Sequence, residues 1–138
     1  MSEHADHRDA IRKVAYLALA AAAVGVFLPW TKDGPVRLDG LDGPHNGWLV
    51  LIVAGIALCW MRSMGRGSLI ASTAVFGSAL VIGLTAVTDW LDGRRVLDAA
   101  AAYGVLIVMA ASVVLAAAVA IHVPLARRAR QSKGTPSS

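Results

Sequence analysis

The chain has 138 residues, of which 57% are hydrophobic and 16% are charged, and its formal net charge is +4. A soluble domain carries about a quarter charged residues, so this composition indicates a membrane protein with no separate soluble domain. The single cysteine, Cys59, excludes an internal disulfide and a Cys-x-x-Cys redox pair, and its apolar neighbours predict a buried side chain. The positive charges lie at segment ends without interleaved aromatic residues, which excludes a nucleic-acid-binding face.

The N-terminal part of the chain divides into a polar and an apolar stretch. Residues 1–13 mix acidic and basic side chains, which predicts a solvated cytoplasmic tail. The apolar stretch at about 14–30 predicts the first membrane helix, although it is shorter than the roughly 20 residues that usually cross the hydrocarbon core. Pro29 is expected to end this helix, because proline cannot continue the hydrogen-bond ladder.

The loop 31–47 is the longest polar interval between apolar segments. It contains three Asp-Gly pairs, which begin at Asp33, Asp39 and Asp42. Asp-Gly favours tight turns, and the apolar–polar alternation over 36–38 allows a short hairpin. Three carboxylates also allow a calcium site, but their spacing matches no calcium-binding loop, so turns are the preferred interpretation.

Three further apolar stretches, at about 47–62, 68–88 and 99–123, predict three more membrane helices. Trp48 and Trp60 lie near the two ends of the first of these, as in the aromatic belts of membrane interfaces. The basic tail 126–138 is expected to be disordered.

Small residues mark one face of the third segment. Ser68, Ser72, Ala79 and Gly83 share this face, with Thr73 and Gly77 close by. Small side chains let helix backbones approach closely in lipid, so the pattern predicts that this face packs against another helix. Lining a pore is the alternative.

The distribution of Lys and Arg predicts the orientation in a bacterial plasma membrane. Of the 13 basic residues, nine lie in the N-terminal tail, the connection 62–66 and the C-terminal tail, and four lie in the loops 31–47 and 89–98. Positive charges mark cytoplasmic segments. Both termini are therefore expected in the cytoplasm and both loops outside.

A short pattern occurs in both outer loops. Asp33-Gly34-x-x-x-Leu38-Asp39 returns as Asp92-Gly93-x-x-x-Leu97-Asp98. It suggests two tandem helical hairpins, a parallel 2+2 repeat of the kind found in transporters, and coincidence is the alternative. The loop residues expected to interact, including through salt bridges between the loops, are Trp30, Asp33, Arg37, Asp39, Asp42, Trp90, Asp92, Arg94, Arg95 and Asp98.

No Asp, Glu, Lys or Arg interrupts the four predicted spans, and Arg62 lies at the very end of the second. An ionisable group within a span is the usual mark of function in a membrane protein. No catalytic, cofactor-binding or metal-binding residue is therefore predicted. Asp92-Gly93 resembles the start of the membrane CDP-alcohol phosphotransferase motif, but Val96 and Leu97 replace the Ala-Arg that the motif requires.

The run Leu28-Pro29-Trp30, a Gly/Asp-rich loop, Gly47-Trp48 and an apolar helix resembles the small four-helix membrane proteins common in actinobacteria. The resemblance covers residues 14–61. It implies a plasma-membrane location and transfers neither an activity nor functional residues.

The expected fold is an all-α bundle of four transmembrane helices. The first functional hypothesis is a non-enzymatic accessory, assembly or structural protein that binds a larger membrane complex or itself, with the lipid bilayer as its surroundings. The second is a small oligomeric channel or transporter with a weakly polar path. That path is formed by Ser72, Thr73, Ser78, Thr85 and Ser112. A membrane enzyme that uses the outer Asp and Arg residues is the third.

Overall fold

The structure, a computed structural model, describes residues 2–33, 36–42, 45–64, 68–97, 100–101 and 103–131. Four helices account for most of it, and three short strands lie in the connections. The helices are α1 (Ser2–Val26), α2 (Gly47–Met64), α3 (Leu69–Leu97) and α4 (Tyr103–Gln131), and the strands are β1 (Pro29–Asp33), β2 (Val36–Asp39) and β3 (Ala100–Ala101).

Neighbouring helices pack side by side in the order α1, α4, α3, α2, and α1 also touches α2. The contact between α1 and α4 is the most extensive of the four, and that between α1 and α2 is the least extensive. Apolar residues at helical spacing form the buried faces. On α2 these residues are Gly47, Val50, Ala54, Ala57, Met61 and Met64.

The outside of the bundle is apolar. Large hydrophobic side chains are exposed on all four helices, among them Leu17, Ile52, Leu84 and Val113, while several hydroxyl groups are buried. A water-soluble bundle has the opposite arrangement. Among the described residues, three helical stretches are long and apolar enough to cross a membrane, namely Gly47–Met64, Leu69–Asp92 and Tyr103–Pro124. The chain therefore has the fold expected of a membrane protein.

Helix α1 begins well before the predicted span, so the described part of the polar stretch 1–13 is helical. Asp9 lies 3.7 Å from the Arg12 Nη1 atom and 3.9 Å from the Lys13 Nζ atom, at the i+3 and i+4 positions that support a helix. The helix ends at Val26, before the predicted end at 30, because the chain enters strand β1 at Pro29.

Helix α4 continues through Pro124 to Gln131, where the sequence predicts an end at 123 and a disordered tail from 126. Proline removes one hydrogen bond and bends a helix without always ending it. The residues after it, Leu-Ala-Arg-Arg-Ala-Arg-Gln, are strong helix formers and carry the helix on. Residues 132–138 lie outside the described part of the chain.

The two copies of the Asp-Gly pattern adopt different structures. The first forms strand β2 at Val36–Asp39, and the second lies in α3, which extends to Leu97 through much of the predicted loop 89–98. The first copy contains Pro35, and proline disfavours helix at the residue before it, whereas the second has Arg94 in that place. The tandem repeat is not confirmed.

The predicted small-residue face of α3 is used inside the chain. Ser72 and Ala79 are buried, Ser68 is half-buried, and a Cβ atom on Gly83 would lie 2.7 Å from the Ser112 Oγ atom of α4. Thr73 is exposed instead. The prediction for Cys59 is wrong, because its side chain is exposed on α2.

Candidate functional site

The connections α1–α2 and α3–α4 meet at one end of the bundle, which we call the cap. The three strands form one antiparallel sheet in the order β2, β1, β3, so β1 pairs with strands from both connections. Thr31 lies opposite Leu38 on one side and Ala101 on the other. The sheet therefore ties residues from the two halves of the chain together.

Trp30 is the central side chain of the cap and is only 1% exposed. Its Nε1 atom donates a hydrogen bond of 2.9 Å to the carbonyl oxygen of Gly25, which lies in the last turn of α1. Its ring centroid is 5.8 Å from that of the buried His45, with the planes tilted by 49°. A buried indole usually finds a partner for its N–H group, and here the Gly25 carbonyl oxygen supplies it, which also accepts a hydrogen bond from the Leu28 N–H group at 3.3 Å.

Gly40 and Gly104 lie against Trp30 and Gly47 lies against Gly40, and we call these three glycines the glycine socket. A Cβ atom would lie 2.6 Å from the Trp30 Cε2 atom at Gly40, and 2.7 Å from the Trp30 Cδ1 atom at Gly104. At Gly47 it would collide with the Gly40 carbonyl group. The Gly40 N–H group donates to the Val26 carbonyl oxygen at 2.8 Å, and the Gly47 N–H group donates to the Gly40 carbonyl oxygen at 2.9 Å. Only glycine fits where backbones approach this closely.

A buried carboxylate completes the cap. Asp89 of α3 is 5% exposed and accepts two hydrogen bonds from Asn46, which precedes α2. The Asn46 backbone N–H group donates to Oδ2 at 2.7 Å, and the Asn46 Nδ2 atom donates to Oδ1 at 2.8 Å. Hydrogen bonds to a charged acceptor are stronger than neutral ones, so this pair fixes the start of α2 against α3.

Asp39 and Asp42 stabilise a turn. The Asp39 Oδ1 atom accepts hydrogen bonds from the backbone N–H groups of Leu41, at 2.8 Å, and Asp42, at 3.2 Å. The predicted turn at these two residues is therefore present. Within the described ranges, no group of three or more His, Cys, Asp or Glu residues is arranged to hold a metal ion.

The other predicted loop residues have varied positions. Trp30 is an interior residue of the cap rather than an exposed interaction residue, Trp90 is half-buried against the core, and Asp92 is exposed. The remaining predicted residues have side chains that lie outside the described part: Asp33, Arg37, Arg94, Arg95 and Asp98. The arginines of the predicted salt bridges between the two loops are among these residues, so the salt bridges also lie outside the described part.

Sequence reasoning missed Asn46, His45 and the glycine socket, and it placed Asp89 only as the first residue of the outer loop 89–98. One signal for Asp89 was present, because it lies three and seven residues after Ala86 and Ile82, which are both buried. Helical phase puts these three residues on one face. An acidic residue on the buried face of a helix requires a hydrogen-bond partner inside the protein.

The buried hydroxyl groups along the bundle are satisfied within their own helices. Ser72, Ser78, Thr85 and Ser112 each donate to a carbonyl oxygen three or four residues earlier, at 2.7 to 3.1 Å. Such bonds are a usual way for Ser and Thr to enter an apolar helix interface. Thr73, the fifth residue of the predicted polar path, lies on the exposed face. These five side chains do not form one path inside a single chain.

No protein-family model, curated protein or solved structure matches this chain significantly.

Proposed function

We propose that the chain is a four-span protein of the bacterial plasma membrane that serves as a non-enzymatic accessory or assembly component of a larger membrane complex. Both termini are cytoplasmic and the cap faces outward. The observation that carries the proposal is the distribution of polarity, with apolar side chains outside the bundle and polar groups inside it bound to one another.

The first helix supplies the fourth span. Its exposed side chains from residue 14 onward are apolar, among them Val14, Leu17, Val24 and Phe27, as on the three longer candidate spans. Its most extensive contact is with α4, which itself has the composition of a span. A helix whose one face packs on a membrane helix and whose other face is apolar is stable only in lipid.

The polar groups of the bundle support a structural rather than a chemical role. Both carboxylate oxygens of Asp89 are engaged by Asn46, and the buried hydroxyls donate to their own helices. A general acid or base must instead be free to exchange a proton with a substrate. In the described part of the chain, the buried polar network holds elements together.

The surface offers two places where a partner helix can approach closely. Cβ atoms added at Gly55 of α2 or Gly77 of α3 would meet nothing within 4 Å, so both backbones are open. Small residues at such positions favour helix association in membranes. The partner contact is therefore proposed at the outer faces of α2 and α3, since Ser72 and Ala79 are already buried inside the chain.

Purification from the native membrane in mild detergent, followed by mass spectrometry, tests this proposal. We expect a stoichiometric membrane partner that is lost when Gly55 or Gly77 is changed to Leu. Ala117→Leu, at an exposed small residue of α4, is the matched control and should retain the partner. A chain that purifies alone in every case contradicts the accessory role.

An oligomeric channel or transporter is the second candidate, and one observation favours it. Thr73 presents a hydroxyl on the outer face of α3, one turn before Gly77, so a polar lining would form between copies. Purified homo-oligomers that carry solute across liposomes, with flux reduced by Thr73→Val, would favour this function.

A further inference from the structure

Each of the four helices has an aromatic residue at the level of the cap, and we call Phe27, Trp48, Trp90 and Tyr103 the aromatic girdle. Phe27 directly follows α1, Trp48 and Tyr103 lie in the first turns of α2 and α4, and Trp90 lies near the cap end of the apolar part of α3. Phe27, Trp48 and Tyr103 are 59%, 54% and 56% exposed, and Trp90 is half-buried. The girdle therefore faces outward, whereas the cap buries Trp30.

A close contact between α1 and α2 places Phe27 and Trp48 at one level. A Cβ atom on Gly47, the first residue of α2, would lie 2.8 Å from the Val26 Cγ1 atom. Val26 and Gly47 are the chain neighbours of Phe27 and Trp48. Because one residue advances a helix by only about 1.5 Å, both aromatic residues lie close to the level of this contact.

A second close contact adds Tyr103 to this level. A Cβ atom on Gly104, the residue after Tyr103, would lie 2.6 Å from the carbonyl oxygen of Leu28, the residue after Phe27. It would also lie 2.7 Å from the Trp30 Cδ1 atom. The end of α1 therefore lies beside the start of α4 as well as beside the start of α2.

Trp90 reaches the same level through the buried carboxylate of the cap. Asp89, the residue before Trp90, accepts hydrogen bonds of 2.7 and 2.8 Å from Asn46. Asn46 is only two residues before Trp48. Contacts within the cap thus bring one aromatic residue from each helix to a common depth.

The surface of the bundle changes from apolar to charged at the girdle. Exposed apolar side chains lie about one turn further from the cap on each helix, namely Val24, Ile52, Val87 and Leu106. On the other side, exposed Asp92 follows Trp90 by two residues, about 3 Å further along α3. Exposed Asp42 lies in the turn of the cap. Such a change matches the boundary between hydrocarbon and water.

The lengths of the apolar stretches agree with this position. Leu69, at the start of α3, precedes Trp90 by 21 residues, and Pro124 follows Tyr103 by 21 residues. Each interval spans about 32 Å, close to the hydrocarbon thickness of about 30 Å. With the girdle at one boundary of the hydrocarbon, the far ends of both stretches reach the other boundary.

We infer that the aromatic girdle binds the carbonyl and headgroup layer of the outer leaflet, with exposed Asp42 and Asp92 on the water side of that layer. This inference rests on the proposed four-span arrangement. Trp and Tyr combine an apolar ring with a polar N–H or O–H group and are enriched in this layer of membranes. The girdle thereby fixes the depth of the bundle, and the glycine socket lies at the level of the headgroups.

Fluorescence quenching in phosphatidylcholine bilayers tests the inference, because bromine atoms on an acyl chain quench indole groups near their own depth. Trp48→Phe is the reference variant, and the emission that it lacks is that of Trp48. Phe27→Trp and Tyr103→Trp are each combined with Trp48→Phe, so that a new indole reports from each position. All three positions should lose more emission to bromine near the carbonyl end of the chain than to bromine near its methyl end.

Leu17→Trp and Val113→Trp, each combined with Trp48→Phe, are the matched controls for α1 and α4. Both native side chains are exposed. Leu17 precedes Phe27 by ten residues and Val113 follows Tyr103 by ten residues, which is about 15 Å, or half the hydrocarbon thickness. Their emission should show the reverse order, with the greater loss to bromine near the methyl end. Circular dichroism of every variant verifies that the helices are intact.

Three results at residues 27, 48 and 103 would overturn the inference. Quenching by aqueous iodide but by neither lipid would place the girdle in water. Quenching by neither iodide nor lipid would show that a second copy of the chain covers it. Equal or greater loss to bromine near the methyl end would place it inside the hydrocarbon. If both controls behave as expected, each of these results refutes the girdle alone, whereas a residue 17 or 113 that neither lipid quenches refutes the four-span arrangement itself.

Discussion

Asn46 and Asp89 are joined by two hydrogen bonds, although 43 residues separate them in the sequence. Asn46 precedes α2, and Asp89 lies near the cap end of the apolar part of α3. The pair holds the start of α2 beside Asp89 of α3, since both donors of the contact come from Asn46. Loss of this contact should therefore release the start of α2 from α3.

Replacing Asp89 with Asn should destabilise the protein by about 2 kcal/mol, because one amide then faces a donor of Asn46 and a buried hydrogen bond is lost. Asp92→Asn is the control, since Asp92 is exposed three residues later on the same helix. Denaturation in detergent micelles, followed by circular dichroism, measures both. If the two variants have the same free energy of unfolding, Asp89 does not stabilise the cap.

Replacing Trp30 with Phe should cost about 1–3 kcal/mol, because the buried hydrogen bond from the indole to the Gly25 carbonyl oxygen is lost and part of the ring volume is removed. Trp48→Phe changes an exposed ring and should stay within about 0.5 kcal/mol of the parent protein. Tryptophan emission gives a second readout, since loss of the buried Trp30 should shift the remaining emission to the red. An unchanged melting temperature for Trp30→Phe would contradict the central role of this side chain.

Gly104→Ala and Gly55→Ala should act in opposite directions. The new methyl group at Gly104 meets the Leu28 carbonyl oxygen at 2.6 Å and the Gly25 carbonyl oxygen at 2.8 Å. We expect a loss of about 2 kcal/mol or more, because backbone atoms cannot move aside cheaply. At Gly55 the methyl group meets nothing within 4 Å, and the better helix former should add about 0.5–1 kcal/mol. The melting temperatures of both variants and of the parent protein in one detergent test this prediction.

The proposed orientation predicts which sites react with a membrane-impermeant maleimide in intact cells. With Cys59 replaced by Ser, a cysteine at exposed Leu41 of the cap should be labelled, and one at Ser138 should be labelled only after the membrane is permeabilised. The positive-inside distribution of Lys and Arg is the physical reason. Labelling of residue 138 in intact cells would invert the topology.

The apolar helices were predictable because they depend on local properties. Long runs of apolar residues between charged ends defined α2, the apolar part of α3 and the apolar part of α4 within a few residues. Helix ends were less predictable. Pro29 lies beyond the end of α1 but Pro124 lies inside α4, because a strand continues the chain after the first proline and strong helix formers continue it after the second.

The cap was only partly predictable. Asp-Gly chemistry indicated the turn at Asp39 and the extended pieces around it. The pairing of β1 with β3, and that of Asn46 with Asp89, joins residues far apart in sequence, and no local pattern specifies such partners. The glycine socket likewise depends on where Trp30 lies, so its glycines were indistinguishable from ordinary turn or helix glycines.

The order of the helices around the bundle has a consequence for biosynthesis. The main partner of α1 is α4, which leaves the ribosome after α1, α2 and α3, and Gly104 of α4 lies against Trp30. In the proposed four-span arrangement, the first helix therefore waits in the membrane until the fourth has been inserted. A chain truncated before α4 would leave the Trp30 surface and one face of α1 uncovered, which gives membrane quality control a feature that distinguishes unfinished chains from finished ones.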